Sequence, residues 1–331
     1  MKKIKSFGIL GVGTYVPERI MTNADIEKIV ETSDEWIQKM TGIKERRIAA
    51  PEEATSDLAY NAAIKALEAS GTKAEDLDLI VVATMTADYQ TPSVSAMLQK
   101  KLGAHHAAAF DIGAACSGFV YGLEAGGNFI ATGIYKKVLV IGAETFSRIL
   151  DWEDRGTCIL FGDGAAAAVL GEVEEGYGLI GSHLGADGDL EDVLVIPSGG
   201  SREPATHETV DNKGHYLKMK GPEVFKFAVT VVPNAVEKVL EDAKMGIDEL
   251  SLIVPHQANM RIIKSAAKRL KFPLEKFVVN LDRYGNTSAA SVGLALGEAL
   301  ENGMIKKGDN IAMVGFGAGL TYASCVMKWA Y

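Results

Sequence analysis

Three residues in this sequence are of types that together support nucleophilic catalysis, and the first is Cys116. It lies in DIGAACSGF (111–119), after an apolar run and between small residues, which predicts a strand that turns into a helix. A thiol at a helix N-terminus meets unpaired backbone N–H groups and the positive end of the helix dipole. Both effects lower a cysteine pKa, so the position predicts a thiolate nucleophile. The alternative is an inert buried thiol, the usual fate of a free cysteine.

The other two candidates are a histidine and an asparagine that also follow predicted strands. His256 comes directly after the apolar run LIVP, and Asn286 lies in GNTSAAS, after FVVNLDRYG. An imidazole and a carboxamide can supply the hydrogen bonds that cysteine-based acyl transfer needs. Cys158 and Cys325 lie within apolar runs, and we interpret both as core residues.

These candidates are positioned by a sequence that repeats itself. Segments of the first half resemble segments of the second in the same order: 8–17, 77–86, 100–126 and 136–147 pair with 178–188, 250–259, 268–299 and 306–319. This indicates an internal duplication, with an N-terminal half, 1–175, that carries Cys116 and a C-terminal half, 176–331, that carries His256 and Asn286. The alignment places Asn286 one position from the counterpart of Cys116.

Each half alternates short apolar strands with amphipathic helices, which predicts mostly parallel sheets covered by helices. In such α/β folds, ligands bind beyond the carboxyl ends of the strands. The duplication would therefore bring two sets of strand ends to one site. The glycine-rich GFGAGLT (315–321) follows a predicted strand but lacks the spacing of a nucleotide fingerprint. Its exposed backbone N–H groups are better suited to holding an oxyanion.

Composition and charge exclude several classes of protein. The formal net charge of −9 argues against nucleic acid as the main partner. No apolar run is long enough to span a bilayer, and MKKIKSFGILGVGTYVPER is interpreted as a buried first strand rather than a signal peptide. Three widely spaced cysteines without a CxxC predict neither disulfides nor zinc and favour a reducing cytoplasm. His105 and His106 point to opposite faces of an extended segment and would chelate a metal poorly.

One segment is basic in this acidic chain. Residues 259–274 contain no acid, and their cations form one helical stripe: Arg261, Lys264, Lys268 and Lys271. The apolar positions of the same predicted helix are Ile262, Ile263, Ala266, Ala267 and Leu270. A solvated helix face is the ordinary explanation of such a stripe, but five cations without an anion favour a docking surface for an acidic partner.

The whole chain resembles the β-ketoacyl-acyl carrier protein synthase III family of the thiolase superfamily. The resemblance rests on six motifs in order: SDEWIQKMTGI, DIGAACSGF, RGTCILFGDGA, VPHQAN, YGNTSAAS and GFGAGLT. It implies an α/β fold, the thiolase-like five-layered αβαβα sandwich built from two duplicated halves, and a homodimer. It also implies a catalytic triad of Cys116, His256 and Asn286.

The resemblance implies a decarboxylating Claisen condensation that initiates fatty acid biosynthesis in the cytoplasm. Cys116 takes the acyl group of an acyl-coenzyme A primer, and malonyl-acyl carrier protein then loses CO₂ and attacks the acyl-cysteine to give a 3-oxoacyl-acyl carrier protein. Coenzyme A thioester enters as substrate, and neither a metal nor a bound cofactor is implied. Backbone N–H groups of Cys116 and of the turn Gly317, Ala318 and Gly319 would hold the oxyanion.

The resemblance also implies binding residues. Coenzyme A contacts fall on Thr32, Trp36, Arg155, Lys226 and Asn259. The acyl carrier protein would dock on the segment that begins after His256, at Gln257, Ala258, Asn259, Met260, Arg261, Lys264 and Lys268. Thr91 and Phe316 fall in the primer pocket; members selective for acetyl primers carry phenylalanine where this chain has Thr91, so we expect longer or branched primers to be accepted.

Three alternatives remain open at this point. Polyketide-type condensing enzymes share the Cys–His–Asn triad. The same residue order occurs in papain-like cysteine hydrolases, although the CGSCW-type motif is absent. An acyl-binding module that has lost catalysis is the third, and the intact triad speaks against it.

Overall fold

The computed structural model describes residues 4–331, so residues 1–3 of the predicted first half lie outside the described part of the chain. Its strands are β1 (Phe7–Tyr15), β2 (Arg19–Thr22), β3 (Glu45–Ile48), β4 (Leu79–Ala83), β5 (Ala108–Ile112), β6 (Lys137–Glu144), β7 (Gly164–Glu172), β8 (Gly178–Ala186), β9 (Leu194–Val195), β10 (Lys218–Met219), β11 (Leu252–Pro255), β12 (Asn310–Gly317) and β13 (Thr321–Lys328). Its α-helices are α1 (Asn23–Ile26), α2 (Asp34–Thr41), α3 (Thr55–Ser70), α4 (Val94–Leu102), α5 (Gly118–Ala131), α6 (Arg155–Cys158), α7 (His207–Asp211), α8 (Gly221–Ala243), α9 (Met260–Leu270), α10 (Leu281–Tyr284) and α11 (Ser291–Glu301).

Two sheets with the same strand order form the centre of the fold. The first sheet runs β1-β7-β6-β4-β5, and the second runs β8-β13-β12-β11. Where the second sheet would have its fifth strand, Phe277 forms a single parallel bridge to Ile253 of β11. The strand pairings in the two sheets are alike. Strand β4 lies parallel to β6 and β11 parallel to β12, while β7 and β13 are antiparallel to their neighbours. The predicted duplication is confirmed; the division at residue 175 stays a prediction.

The sheets and helices form five layers, as the family resemblance implies. Strands such as β4 (LIVVA) are buried throughout, because helices cover both of their faces. Helices α3 and α4 cover the outer face of the first sheet, α8 covers the outer face of the second with α9 against it, and α5 and α11 lie between the two sheets. Gly122 lets α5 approach β6, since a Cβ there would lie 2.7 Å from Val140.

Two short elements and one long connection surround the carboxyl ends of the central strands. Strands β2 and β3 pair antiparallel, and the connection between them contains α1 and α2. Helix α2 is tied to the start of α9 by a hydrogen bond from Asn259 Nδ2 to Met40 O (3.1 Å). The segment 185–217 is mostly irregular; after β8 ends it contains the 3-10 turn Gly188–Leu190 and the short β9 and α7. Within residues 4–331, no helix is both long and apolar enough to cross a membrane.

Candidate active site

A cavity of about 670 Å³ opens at the carboxyl ends of the central strands and brings the three predicted chemical residues together. Cys116, His256 and Asn286 all line it, although they come from three different elements in the two halves of the chain. Phe316 and Gly317, at the end of β12, form part of the same wall. The edge predicted from strand topology is therefore the edge at which the cavity lies.

Cys116 is held by a tight turn rather than by the helix itself. The 3-10 turn Ala115–Ser117 precedes α5, and Ala115 adopts the left-handed conformation, with φ 45°. This turn directs the Cys116 side chain into the cavity, where only 4% of the residue is exposed. Its Sγ lies 3.4 Å from Ser288 Oγ, to which the thiol donates a hydrogen bond.

The predicted thiolate is wrong for the free protein. Burial raises the pKa of Cys116 to about 12, and the nearby carboxylate of Glu144 acts in the same direction, while the hydrogen bond to Ser288 opposes both. The sequence signals the start of a helix but not the loss of water around the sulfur, which is the largest effect. Cys116 therefore rests as a thiol, and its reaction requires a group that accepts the proton.

His256 is a neutral imidazole with one fixed partner. It follows β11 directly, its backbone N–H donates to Val314 O (2.7 Å), and its Nδ1 lies 2.6 Å from Ser291 Oγ. The edge of its ring contacts Phe316 at 5.2 Å between centroids. Burial lowers the pKa of His256 to about 3, so the ring carries no charge at neutral pH.

Asn286 has its amide orientation set by the backbone. Its Oδ1 accepts a hydrogen bond from Ser288 N (2.8 Å), and its own N–H donates to Leu160 O (2.8 Å). Because the oxygen is engaged in this way, Nδ2 is the atom that can donate into the cavity.

The register of the duplication at this point differs from the sequence alignment. The turn before α11 is Ser288–Ala290, and Ser288 has φ 49°, the conformation that Ala115 has in the turn before α5. Cys116 therefore corresponds to Ala289, and Asn286 lies three positions before that counterpart rather than one. The prediction was wrong because the loop before Asn286 is longer than the segment before Cys116, and the repeated glycines of α5 and α11 allow a shifted alignment.

The glycine-rich turn lies against the cysteine backbone. A Cβ at Gly317 would lie 2.5 Å from Cys116 N, so only glycine fits at this approach. Gly317 and Leu320 border the cavity, and Ala318 and Gly319 form the turn between them. Strand β13 follows this turn and contains Cys325.

A buried acid that the sequence analysis did not select lies next to these residues. Glu144 is the last residue of β6 and has no exposed surface. Its carboxylate accepts hydrogen bonds from Ser288 Oγ (3.0 Å), Thr86 Oγ1 (2.6 Å) and Met85 N (3.1 Å). Burial raises its pKa to about 7. A lone acid that ends the otherwise apolar run KVLVIGAE is the signal in the sequence that could have found it.

Three of the five predicted coenzyme A residues line the cavity. Trp36 of α2 and Arg155 of α6 both line it, with the guanidinium carbon 5.0 Å from the centre of the indole ring. Asn259 also lines it and caps α9 through Arg261 N (2.8 Å). Lys226 is exposed on α8, and Thr32 lies just before α2 with a buried Oγ1 that has no hydrogen-bond partner among the described residues.

Helix α9 has the two faces that the sequence predicts. The five apolar positions are buried, and the cations Arg261, Lys264 and Lys268 are exposed. Ala258 lines the cavity, and Met260 is half-buried at the start of the helix.

Gln257, predicted to contact the carrier protein, cannot do so. Its side chain is buried and donates to Pro255 O and Val278 O, while its Oε1 accepts from Asn280 N. Its polar atoms hold the loop after β11 in place, because each has a backbone partner inside the protein.

The two primer-pocket residues differ in position. Phe316 lines the cavity, but Thr91 is exposed and does not. Thr91 precedes α4, whose first N–H groups donate to Asp111 of β5, so this segment lies at the outer edge of the first sheet. One chain alone does not bring Thr91 to the site.

The remaining cysteines are core residues, and the described part of the chain offers no metal cluster. Cys158 and Cys325 are buried and free, as predicted for core residues. Within residues 4–331, no group of three or more His, Cys, Asp or Glu side chains could hold a metal ion.

Comparison with known proteins gives one consistent result. Residues 110–188 match a family model described as 3-oxoacyl-[acyl-carrier-protein (ACP)] synthase III, and residues 240–329 match the model of its C-terminal part. A Fusobacterium nucleatum protein named beta-ketoacyl-[acyl-carrier-protein] synthase III is 56% identical over 328 residues, which cover 99% of this chain and 100% of that relative. A protein of the same name from Caldanaerobacter subterraneus is 58% identical over 323 residues, 98% of either chain. The crystal structure of 3-oxoacyl-[acyl-carrier-protein] synthase III from Aquifex aeolicus matches with a TM-score of 0.91 at 45% identity, covering 98% of this chain and 100% of that one.

Proposed function

The chain belongs to the 3-oxoacyl-[acyl-carrier-protein] synthase III family, and from that premise we propose that Cys116, His256 and Asn286 carry out its reaction in the cavity described above. The enzyme condenses an acyl-coenzyme A primer with malonyl-acyl carrier protein, releases CO₂ and so initiates fatty acid biosynthesis. The single observation that supports this assignment is that three residues from different elements line one buried cavity. A cysteine hydrolase, a polyketide-type enzyme and a silent binding module are not favoured by the relatives.

In the first half-reaction, Cys116 Sγ attacks the thioester carbonyl of the primer. The carbonyl oxygen becomes an oxyanion, and we assign its donors to the backbone N–H of Cys116 and to the turn Gly317–Gly319. The close approach of Gly317 to Cys116 N, which leaves no room for a Cβ, supports this pairing. Coenzyme A then leaves, and the acyl group stays on the sulfur.

In the second half-reaction, malonyl-acyl carrier protein loses CO₂, and negative charge develops on its thioester oxygen. His256 and Asn286 are the donors that we assign to this oxygen. Asn286 can use Nδ2 because its Oδ1 is held by Ser288 N. Ser291 Oγ accepts from Gln257 N (3.4 Å) and can therefore direct its own proton to His256 Nδ1, which leaves the Nε2–H of the neutral ring to donate.

Substrates approach along two surfaces in this proposal. Coenzyme A enters between α2 and α6, where the pair Trp36 and Arg155 must separate to admit a flat base between them. The acidic carrier protein docks on the exposed cations of α9, and the start of that helix at Asn259 borders the cavity. An acyl carrier protein bound to α9 would present the arm that bears its acyl group at the cavity. The chemistry uses the thioester as substrate and assigns no step to a metal or a resident cofactor.

A homodimer is part of the same proposal. Strand β5 lies at the edge of the first sheet, its residues are exposed or half-buried, and a strand in this position can pair with a second copy. Such a dimer would also cover the exposed segment around Thr91, where we expect primer selection. We propose a cytoplasmic location and two halves that divide near residue 175, each with one of the two sheets.

A labelled-substrate experiment tests the proposed function. The protein is incubated with radiolabelled acyl-coenzyme A, the acyl-enzyme is trapped by acid, and the label is mapped by peptide mass spectrometry before and after malonyl-acyl carrier protein is added. We expect label on Cys116 that moves to a 3-oxoacyl product. Cys116→Ala should remove the label, and Cys158→Ala is the matched control that should keep it. Label on another residue, or none on the unaltered protein, contradicts the assignment.

A further inference from the structure

A continuous chain of hydrogen bonds leads from the nucleophile to a buried carboxylate. Cys116 Sγ donates to Ser288 Oγ at 3.4 Å, and Ser288 Oγ donates to Glu144 Oε1 at 3.0 Å. All three side chains are buried, so water does not compete for these bonds. The two half-reactions above assign no role to the hydroxyl of Ser288 or to Glu144, yet the thiol must lose a proton before it can be acylated.

The carboxylate is positioned to receive that proton. Besides Ser288, three further groups donate to it: Met85 N at 3.1 Å, Thr86 Oγ1 at 2.6 Å and Thr84 Oγ1 at 3.3 Å. Thr86 Oγ1 accepts from Thr145 N (2.9 Å), which directs its own proton to Glu144. These hydrogen bonds favour the ionised carboxylate and oppose the effect of burial on its pKa. None of the donors is charged, so Glu144 keeps its negative charge and can accept a proton.

We propose that Glu144 is the proton acceptor of Cys116 and works through Ser288 Oγ. This inference deepens the proposed function and rests on it, because it concerns the acylation of the same sulfur. Ser288 is suited to the bridge because a hydroxyl can accept one proton and give up another.

The proton balance of acylation is as follows. As Sγ forms its bond to the thioester carbon, the S–H proton passes to Ser288 Oγ, and the proton of Ser288 passes to Glu144 Oε1. The bond between the carbonyl carbon and the coenzyme A sulfur then breaks. Coenzyme A leaves as a thiolate and takes its proton from solvent. Glu144 is neutral in the acyl-enzyme, so no unpaired charge remains buried beside the acyl group.

Condensation reverses the transfer. Loss of CO₂ from the malonyl group leaves a carbanion, which forms a carbon–carbon bond to the acyl carbon. The bond from that carbon to Sγ breaks, and Cys116 leaves as a thiolate. Glu144 returns its proton through Ser288, which restores the thiol and the carboxylate. In each turnover, Glu144 is therefore protonated in the first half-reaction and deprotonated in the second.

Other titratable groups near the end of β6 are engaged elsewhere. Asp163, beside β7, accepts from Ala49 N and from Ser147, whose backbone and side chain both donate to it. Asp57 of α3 pairs with Lys101, and Asp88 after β4 accepts from the N–H of Ser56. Cys116, unlike Asp163, Asp57 and Asp88, is joined to Glu144 by the hydroxyl of Ser288.

The test is the pH profile of Cys116 alkylation by iodoacetamide, a small neutral reagent that needs no substrate. Reaction at Cys116 is followed by peptide mass spectrometry in the unaltered protein, Ser288→Ala, Glu144→Gln, Glu144→Asp and the double variant. Ser288→Ala should fold, because Ala115 adopts the same left-handed conformation in the equivalent turn. Ser147→Ala is the matched control, since it removes a hydroxyl donor from Asp163, another buried carboxylate, and leaves the chain from Cys116 to Glu144 intact.

We expect alkylation of the unaltered protein to rise through an inflection near pH 7, where Glu144 ionises. Ser288→Ala and Glu144→Gln should lose the inflection and react about 10²-fold more slowly at pH 8, a loss typical of removing a general base. The double variant should be no slower than either single one, Glu144→Asp should keep an inflection, and Ser147→Ala should retain both rate and profile.

Three results would overturn the inference: an unchanged profile in Ser288→Ala, additive losses in the double variant, or faster alkylation in Glu144→Gln. The last would mean that Glu144 acts only by its charge. Acyl transfer from acyl-coenzyme A is measured separately on the same proteins. If the unaltered protein takes no acyl group, the proposed function fails, while the alkylation profile still decides the role of Glu144.

Discussion

Replacing His256 with glutamine should weaken the dependence of stability on pH. Burial lowers the pKa of His256 to about 3 in the folded protein, against an ordinary value of 6.5. Between these two values the unfolded chain binds a proton at this position and the folded chain does not. The folded state therefore loses stability as the pH falls below 6.5, and a glutamine at this position has no such effect.

The size of the effect follows from those two pKa values. At about pH 8 both states are neutral at His256, and at about pH 5 only the unfolded chain is protonated to a large extent, which corresponds to about 2 kcal/mol. Glu144 acts in the opposite sense, because its folded pKa of about 7 is raised and its contribution is lost as the pH rises. That contribution is common to both proteins and cancels in their difference.

The measurement is urea unfolding of the unaltered protein and His256→Gln at about pH 8 and about pH 5. Both proteins are held at one concentration, since a dimer would make stability depend on it. We expect the unaltered protein to lose about 2 kcal/mol more than the variant on acidification. Equal losses would show that the folded protein protonates His256, and the neutral ring assigned to decarboxylation would lose its basis.

Further predictions concern the two half-reactions and their partners. Asn286→Ala should slow condensation by about 10²-fold to 10³-fold, as when one oxyanion donor is lost, while acyl transfer to Cys116 in a single turnover is retained; an equal loss in both steps would contradict the separation of roles. Lys264→Glu should raise KM for malonyl-acyl carrier protein about tenfold at low salt and less at high salt; Lys136→Glu, an exposed charge reversal before β6, is the control and should leave KM unchanged. Trp36→Ala should raise KM for acyl-coenzyme A by about tenfold with kcat retained, and a drop in kcat alone would speak against base stacking. Isobutyryl-coenzyme A should be turned over as well as acetyl-coenzyme A, and a strict acetyl preference would refute the primer role of Thr91.

The sequence predicts most of the fold because hydrophobic periodicity carries that information. Helix α9 is the clearest case: residues at helical spacing are buried, and the cations between them are exposed. The strands that are apolar throughout, such as β4, also indicate a sheet covered on both faces. These signals are local, so one sequence is enough to show them.

What the sequence does not predict depends on contacts between distant residues. Gln257 belongs to the same motif as His256, but only the fold shows that its side chain forms hydrogen bonds with backbone groups of the 278–280 segment. Glu144 meets Ser288 across the junction of the two halves, and the pKa of Cys116 depends on that neighbour and on the exclusion of water. Neither effect has a local pattern.

The corrected register gives a physical reason why the duplicated fold has one site rather than two. Strand β12 corresponds residue by residue to β6, β11 to β4, and α11 to α5, since the elements pair alike and start at equivalent positions. Under this correspondence, six polar residues of the site each match a small residue in the other half. The pairs are Cys116 with Ala289, His256 with Ala83, Asn286 with Gly113, Ser291 with Gly118, Ser288 with Ala115, and Glu144 with Gly317.

Contacts between the two halves follow the same symmetry, which supports the residue correspondence given above. A Cβ at Gly142 would lie 2.3 Å from Ala289 O, and a Cβ at its counterpart Gly315 would lie 3.0 Å from Cys116 O. Each half thus packs a strand glycine against the turn of the other. Where the polar members gather, the cavity lies open, and it is lined by Cys116, His256 and Asn286 together with Gly317. Where the small members gather, Ala83 and the position of Gly118 are in tight contact, at 2.8 Å for an added Cβ, and the equivalent space is filled by the core. A polar substitution at Ala83 or Ala289 should therefore destabilise the protein rather than create a second site, because it would bury a group that has no partner.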